Sequence, residues 1–127
     1  IDWFEQRGKE TLLRNYRECV WYADFLEFVA KEHLFAKMGT QAREANGDLD
    51  KRWDTSRISA FSEILAFYGV DYWYAWQVTI LGLGPIWQSE NAWARRRAAQ
   101  WLDDGAVFAF GLSSASMGLT STPPIWC

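Results

Sequence analysis

The sequence predicts an all-α fold that is followed by one short strand, and three observations support this class. Apolar residues recur at steps of three and four through most of the chain, which is the period of amphipathic helices. Glycines and capping residues divide this pattern into segments of helical length. After Gly105 the helical period changes to a nearly continuous apolar run, which is typical of a buried strand.

The first predicted helix covers residues 9–37. One of its faces is apolar and the opposite face is charged, and further aromatic side chains widen the apolar sector. We expect these aromatics to pack against one another rather than to line a ligand slot. The predicted apolar face, on which Cys19 is expected to be a small buried side chain, consists of Leu12, Tyr16, Cys19, Ala23, Leu26 and Ala30.

A polar loop is predicted over residues 39–54, with a turn at Asn46-Gly47. Its three aspartates lack the glycine and the terminal glutamate of a calcium loop, so we expect a solvated loop. Thr55 or Ser56 is predicted to cap the next helix, which ends at Gly69.

A third helix is predicted over residues 70–81, and Gly82, Gly84 and Pro85 are expected to end it. The same residues, together with Asp71, argue against a membrane-spanning segment in this apolar region. The two glycines do not form a phosphate loop, because no Gly-Lys-Ser/Thr follows them.

The last predicted helix is capped by Ser89 and ends at Asp103-Asp104-Gly105. Its three consecutive arginines, residues 95–97, could bind an anion such as a diphosphate. We favour a solvated face for them.

Composition excludes several classes of function. A net charge of −3 gives no electrostatic reason to expect nucleic acid or a membrane surface as a partner. The two cysteines, Cys19 and Cys127, are too few for a disulfide framework or a zinc site, and residues 1–10 lack the apolar region of a secretory leader. We therefore expect a cytoplasmic protein without a metal site. His33, the only histidine, is expected at a surface or a helix end.

Two stretches carry a family resemblance. Leu81-Gly82-Leu83-Gly84-Pro85-Ile86 resembles the Leu-Gly-x-x-Pro-Ile turn of FAD-dependent acyl-CoA dehydrogenases. Residues 100–113, which finish with Phe110-Gly111-Leu112-Ser113, resemble the point where the N-terminal helical domain of that family meets its β-domain. The resemblance covers most of residues 10–113.

The resemblance implies an N-terminal helical domain over residues 1–104 and the first strand of a β-domain over residues 105–113. In this family FAD lies between the β-domain and a C-terminal helical bundle, and the enzyme oxidises an acyl-CoA and passes electrons to an acceptor. The matching positions imply flavin contacts for Phe110, Leu112 and Ser113, whereas Leu81 and Leu83 would border the acyl chain. No residue matches the catalytic base, so no catalytic residue is assigned, and we expect the chain to be inactive alone.

Residues 114–127 are predicted to be an irregular tail that is read out of frame. Residues 113–127 can be written with synonymous codons so that one G restored after the Ser113 codon changes the reading frame. The new frame reads S-E-R-E-H-G-A-D-I-Y-S-T-D-M-V. It supplies the Glu and the Gly-Ala-Asp that follow the first strand of the β-domain in the family. Met117 and Trp126 have one codon each, and both fit the restored frame. The alternative is a small-residue, proline-containing end of a divergent relative.

Other functions stay open at this level. The chain could be a stand-alone helical interaction domain with the same architecture. It could also belong to the acyl-CoA oxidases or flavin monooxygenases, which share this N-terminal pattern. An unpaired edge strand would leave backbone groups exposed, so self-association is possible in either case.

Overall fold

A computed structural model describes residues 1–111 of the chain. Within this range the fold is helical and contains no strand, which confirms the all-α class. The predicted tail over residues 114–127, together with Leu112 and Ser113, lies outside the described residues. The helices are α1 (Asp2–Arg7), α2 (Lys9–Arg17), α3 (Ala23–Lys31), α4 (Leu34–Gly39), α5 (Thr55–Tyr68), α6 (Val70–Gln88) and α7 (Ala92–Asp103), with a 3₁₀ turn at Ala42–Glu44.

The core is built around α6, which contacts α4, α5 and α7. Trp76 and Leu83 on this helix are fully buried. The Trp76 ring lies 4.9 Å from the Phe35 ring and 5.3 Å from the Phe61 ring, in tilted and edge-to-face arrangements that aromatic pairs favour. The other large buried side chains are Phe4, Leu12, Phe25, Val29, Phe35, Leu65, Tyr72, Trp87 and Leu102.

The prediction of a single helix over residues 9–37 is wrong, because the chain forms α2, α3 and α4 there. Cys19 and His33 interrupt it with left-handed backbone conformations, both at φ 52°. A continuous helix of this length would extend about 44 Å and could not direct all its apolar residues into one small core. The breaks rotate the buried face: Tyr16 and Cys19 are exposed, and Phe25 and Val29 are buried.

The expected end of the third helix at residues 82–85 is also wrong. Helix α6 continues to Gln88 with Pro85 inside it. Leu83 and Trp87, one turn apart, are buried, and the Trp87 Nε1 donates a hydrogen bond of 2.9 Å to the Gly39 carbonyl. These contacts outweigh the roughly 3 kcal/mol that a proline costs inside a helix, and Pro85 itself is on the exposed side.

Two helix boundaries are confirmed, but their caps differ from the prediction. Helix α5 ends at Tyr68 before Gly69 as predicted, and its cap is Asp54, whose Oδ1 accepts from the Arg57 N–H at 3.2 Å. Helix α7 ends at Asp103 as predicted, and its cap is Asn91. Ser89 instead closes α6, because its Oγ donates to the Ile86 carbonyl at 2.8 Å.

The polar loop after α4 folds back onto the helices. Asn46 and Gly47 both take positive φ, which confirms the predicted turn. Next to it, the Arg95 Nε lies 2.9 Å from the Glu44 Oε1, and these two side chains are only 13% and 10% exposed. The solvated-face prediction is therefore wrong for Arg95, whereas Arg96 and Arg97 are exposed.

The strand predicted over residues 105–113 is not confirmed in its described part. Residues 106–111 belong to neither a helix nor a strand, because no second segment in the described range pairs with them. A strand is stabilised by its ladder, and an isolated extended segment has none.

No helix within residues 1–111 combines the length and hydropathy needed to span a membrane.

Leu81 and Leu83 offer a matched test of this core. We expect Leu83→Ala to lower the free energy of unfolding by about 2–5 kcal/mol, because it leaves a cavity beside Gly39 and Leu102. Leu81→Ala, at a side chain that is 47% exposed, should change it by less than about 1 kcal/mol. Urea denaturation followed by circular dichroism measures both values, and equal losses would contradict the placement of Leu83 in the core.

Candidate functional site

The chain leaves α7 through a turn that requires glycine. Gly105 has φ 88°, and a Cβ there would lie 2.4 Å from the Cβ of Ala30. The Ala106 N–H donates to the Trp101 carbonyl at 2.9 Å, which closes the end of the helix. This turn directs residues 106–111, hereafter the crossing segment, back toward the helices.

The crossing segment lies directly against α6 at Gly82. A Cβ on Gly82 would lie 2.9 Å from both the Ala109 carbonyl oxygen and the Phe108 Cβ. One turn earlier, the buried Thr79 Oγ1 accepts a hydrogen bond of 3.3 Å from the Phe108 N–H and donates one of 2.9 Å to the Ala75 carbonyl. The absence of a side chain at Gly82 therefore lets backbone pack on backbone.

This contact brings together residues that sequence reasoning assigned to two different roles. Leu81 adjoins Gly82, and Phe110 adjoins Ala109, which Gly82 contacts. Leu81, Val107 and Phe110 are 47%, 51% and 48% exposed, and residues 105–111 carry no charge. These three apolar side chains are thus about half exposed, and each adjoins in the chain a residue of the Gly82 contact.

The remaining predicted site residues are placed differently. Leu83 is fully buried, so it offers no surface to a ligand in this conformation. Leu112 and Ser113 are not among the described residues. Of the five predicted contacts, only Leu81 and Phe110 are thus available on the described surface.

A concave region, hereafter the groove, lies between α2 and the corner where α5 meets α6. It consists of two adjoining cavities of about 600 and 710 Å³ that share Tyr16, Val70 and Asp71. Phe67 and Trp21 line its two ends and are 82% and 66% exposed. No sequence pattern predicts this region, because the helical period places Tyr16 on the apolar face of the first predicted helix.

Burial changes the acid–base properties of the groove. It raises the pKa of Asp71 above its ordinary value, since the ionised carboxylate loses solvation. Tyr72, the next residue of α6, lies in the core and not on the groove, and its burial, with the Asp71 charge as a smaller cause, raises its pKa to about 12. Tyr68 donates a hydrogen bond to the Glu5 carboxylate, and this bond raises the pKa of Tyr68.

His33 is exposed and precedes the first residue of α4, as predicted. Its Nδ1 lies 2.8 Å from the Asp103 carbonyl oxygen, and the Asp103 carboxylate binds the Lys51 ammonium at 2.7 Å. These contacts join the end of α7 to the loop and to α4. No group of three or more His, Cys, Asp or Glu side chains within residues 1–111 is placed to hold a metal ion.

Comparisons of the chain with models of protein families, with curated proteins and with solved structures find no match.

Alanine substitutions at Gly82 and Gly84 distinguish two effects. Both raise helix propensity, but only the one at Gly82 should disturb the contact with the crossing segment. Gly82→Ala should displace residues 108 and 109 and increase hydrogen exchange at the Phe108 amide, because the new methyl overlaps backbone atoms. Gly84→Ala meets nothing within 4 Å and should stabilise the protein by about 0.5–1 kcal/mol. Exchange measured by NMR and urea denaturation check both results; unchanged exchange in Gly82→Ala would contradict the contact.

Asp71 should make stability depend on pH. Its pKa is higher in the folded state than in the unfolded state, so at neutral pH the fold holds a carboxylate that is better solvated after unfolding. Asp71→Asn should raise the urea midpoint at pH 7, and the gain should disappear as the pH falls to the unfolded value of about 4. The exposed Glu63→Gln is the control and should show no such trend.

Proposed function

We propose that the described residues are the N-terminal helical domain of an FAD-dependent acyl-CoA dehydrogenase. In this proposal the apolar surface at Leu81 and Phe110 forms one wall of the site for the acyl chain and the flavin. The contact at Gly82 is the observation that carries the proposal. It brings the two motifs, which lie 29 residues apart from Leu81 to Phe110, into contact through Gly82 and Ala109.

The described part of this wall fits an acyl chain and the edge of a flavin ring. An acyl chain and the edge of a flavin ring are largely apolar, and the surface offers half-exposed apolar side chains with no buried charge beneath it. Leu81 and Phe110 would exclude water from the reacting carbons. The Ser113 hydroxyl would form a hydrogen bond at the flavin edge.

The remaining chemistry requires groups beyond this wall. In the family, bound FAD accepts the hydride that leaves the β-carbon of the acyl-CoA. Removal of the α-proton needs a carboxylate held against the substrate in the same enclosed site. No acidic residue of the chain matches that base, so the role of these residues is to bind and to exclude water.

A helical interaction domain is the second candidate, and a specific observation favours it. Trp21, Phe67 and Trp93 are 66%, 82% and 67% exposed, which is unusual for such large side chains on a free surface. This candidate needs no flavin. Acyl-CoA oxidases and flavin monooxygenases would use the same wall as a dehydrogenase and would differ in their use of oxygen.

A domain exchange tests the proposal. Residues 1–113 would replace the N-terminal helical domain and first strand of a well-folded acyl-CoA dehydrogenase. We expect the hybrid to retain FAD and to reduce an electron-acceptor dye with an acyl-CoA. The 127-residue chain alone should show no turnover, because one wall cannot hold the reacting groups together.

Single substitutions in the hybrid distinguish an effect on the proposed wall from a general loss of stability. Leu81→Asp should lower kcat/KM at least tenfold by placing a charge on the wall, whereas Leu49→Asp, at a loop residue that is 90% exposed, should have little effect. A folded hybrid without FAD would contradict the family assignment. Turnover by the isolated chain would contradict the one-wall role.

A further inference from the structure

Helix α7 has a buried face and an exposed face of unusual composition. Ala98 and Leu102 face the core and are each 1% exposed. On the exposed side, Trp93, Arg97 and Trp101 follow one another at steps of four, so they form a row along the helix. Trp93 is 67% exposed and Trp101 is 45% exposed. These three residues are called the outer stripe.

The outer stripe is positively charged. The Arg97 guanidinium lies 4.9 Å from the centre of the Trp101 ring, and its Nη1 donates to the Gln100 Oε1 at 3.0 Å. Neither Arg96 nor Arg97 forms an ion pair within residues 1–111. The nearest acid in the helix, Asp103, already binds Lys51. The Arg97 guanidinium therefore lies against an exposed indole without a carboxylate partner within residues 1–111, and the exposed Arg96 adjoins it in the chain.

We propose that the outer stripe binds an acidic, amphipathic segment of another protein. Its apolar side chains would cover the two indoles, and its carboxylates would pair with Arg97 and Arg96. Tryptophan and arginine dominate binding energy in protein interfaces, and guanidinium groups bind carboxylates through two parallel hydrogen bonds. The charge and the apolar area thus specify the same kind of partner.

A second copy of the chain fits this surface less well. Symmetric pairing would place the outer stripe of one copy against that of the other, so that arginines would face arginines. The proposal uses only residues of α7 and does not depend on the flavin-binding wall. Its outcome and that of the domain exchange are therefore independent.

The test begins with selection of random 12-residue peptides on the immobilised 127-residue chain. Counter-selection uses the double variant Trp93→Ala, Trp101→Ala, whose exposed positions should leave the fold intact. Circular dichroism and thermal unfolding confirm that it is folded. We expect the retained peptides to be rich in Asp and Glu interleaved with Leu, Phe or Trp.

One selected peptide, labelled with a fluorophore, then gives affinities by anisotropy. We expect Trp93→Ala and Trp101→Ala each to weaken binding about tenfold or more, as for interface anchors. Arg97→Glu should abolish binding of the acidic peptide and allow binding of a version with Lys in place of each acid. Trp21→Ala, at an exposed tryptophan outside α7, is the matched control and should leave the affinity unchanged.

Several results would overturn the proposal. Selection that yields no acidic enrichment, or equal binding to the double variant, would exclude the outer stripe as a site for such a segment. Binding to vesicles of anionic phospholipid that competes with the peptide and is lost in Trp93→Ala would assign the surface to a membrane instead. Sedimentation that shows a dimer of the chain, lost in Trp93→Ala, would assign it to a second copy.

Discussion

The structure depends on one apolar helix, α6, whose inner faces must be covered by its neighbours while one face with Tyr74 and Leu81 stays exposed. Helix α6 places Tyr72, Trp76, Leu83 and Trp87 in the core, and its neighbours α4, α5 and α7 lie against it. A helix with so little polar surface is stable only when its surroundings exclude water from it. This requirement explains why α6 continues through Pro85 and why the segment after α7 returns to contact it.

Aromatic packing supplies much of that cover. Phe4, Phe25 and Tyr72 lie within 5.8 Å of one another between ring centres, so α1, α3 and α6 meet at one cluster. Phe35, Phe61 and Trp76 form a second cluster that joins α4, α5 and α6. Rings bury large areas and adopt preferred tilted or edge-to-face contacts, so short helices at varied angles can still close a core.

Two surfaces with different chemistry result from this arrangement. The crossing segment lies against α6 at Gly82, and Leu81 and Phe110, the residues of the proposed wall, are half exposed on either side of this contact in the chain. The outer stripe of α7 combines indoles with guanidinium groups, which favours an acidic partner. Arg95 lies on the same helix as the outer stripe, but it pairs with Glu44 of the 3₁₀ turn, and these two side chains are only 13% and 10% exposed. Neighbouring arginines in one run of three therefore have different roles.

The sequence alone determined the helical class, the boundary at Gly69, the turn at Asn46-Gly47 and the end of α7 near Asp103, because periodicity and local backbone preferences act within a few residues. The family resemblance pointed to Leu81 and Phe110, and both side chains are about half exposed in the structure. Only the tertiary structure decided the breaks at Cys19 and His33, the continuation through Pro85 and the burial of Leu83. Each of these depends on packing between distant segments, and such packing can outweigh the local preference of a glycine or a proline. The contact of Gly82 with Ala109 also depends on tertiary packing, since no local sequence pattern predicts which backbone segment will lie against a glycine.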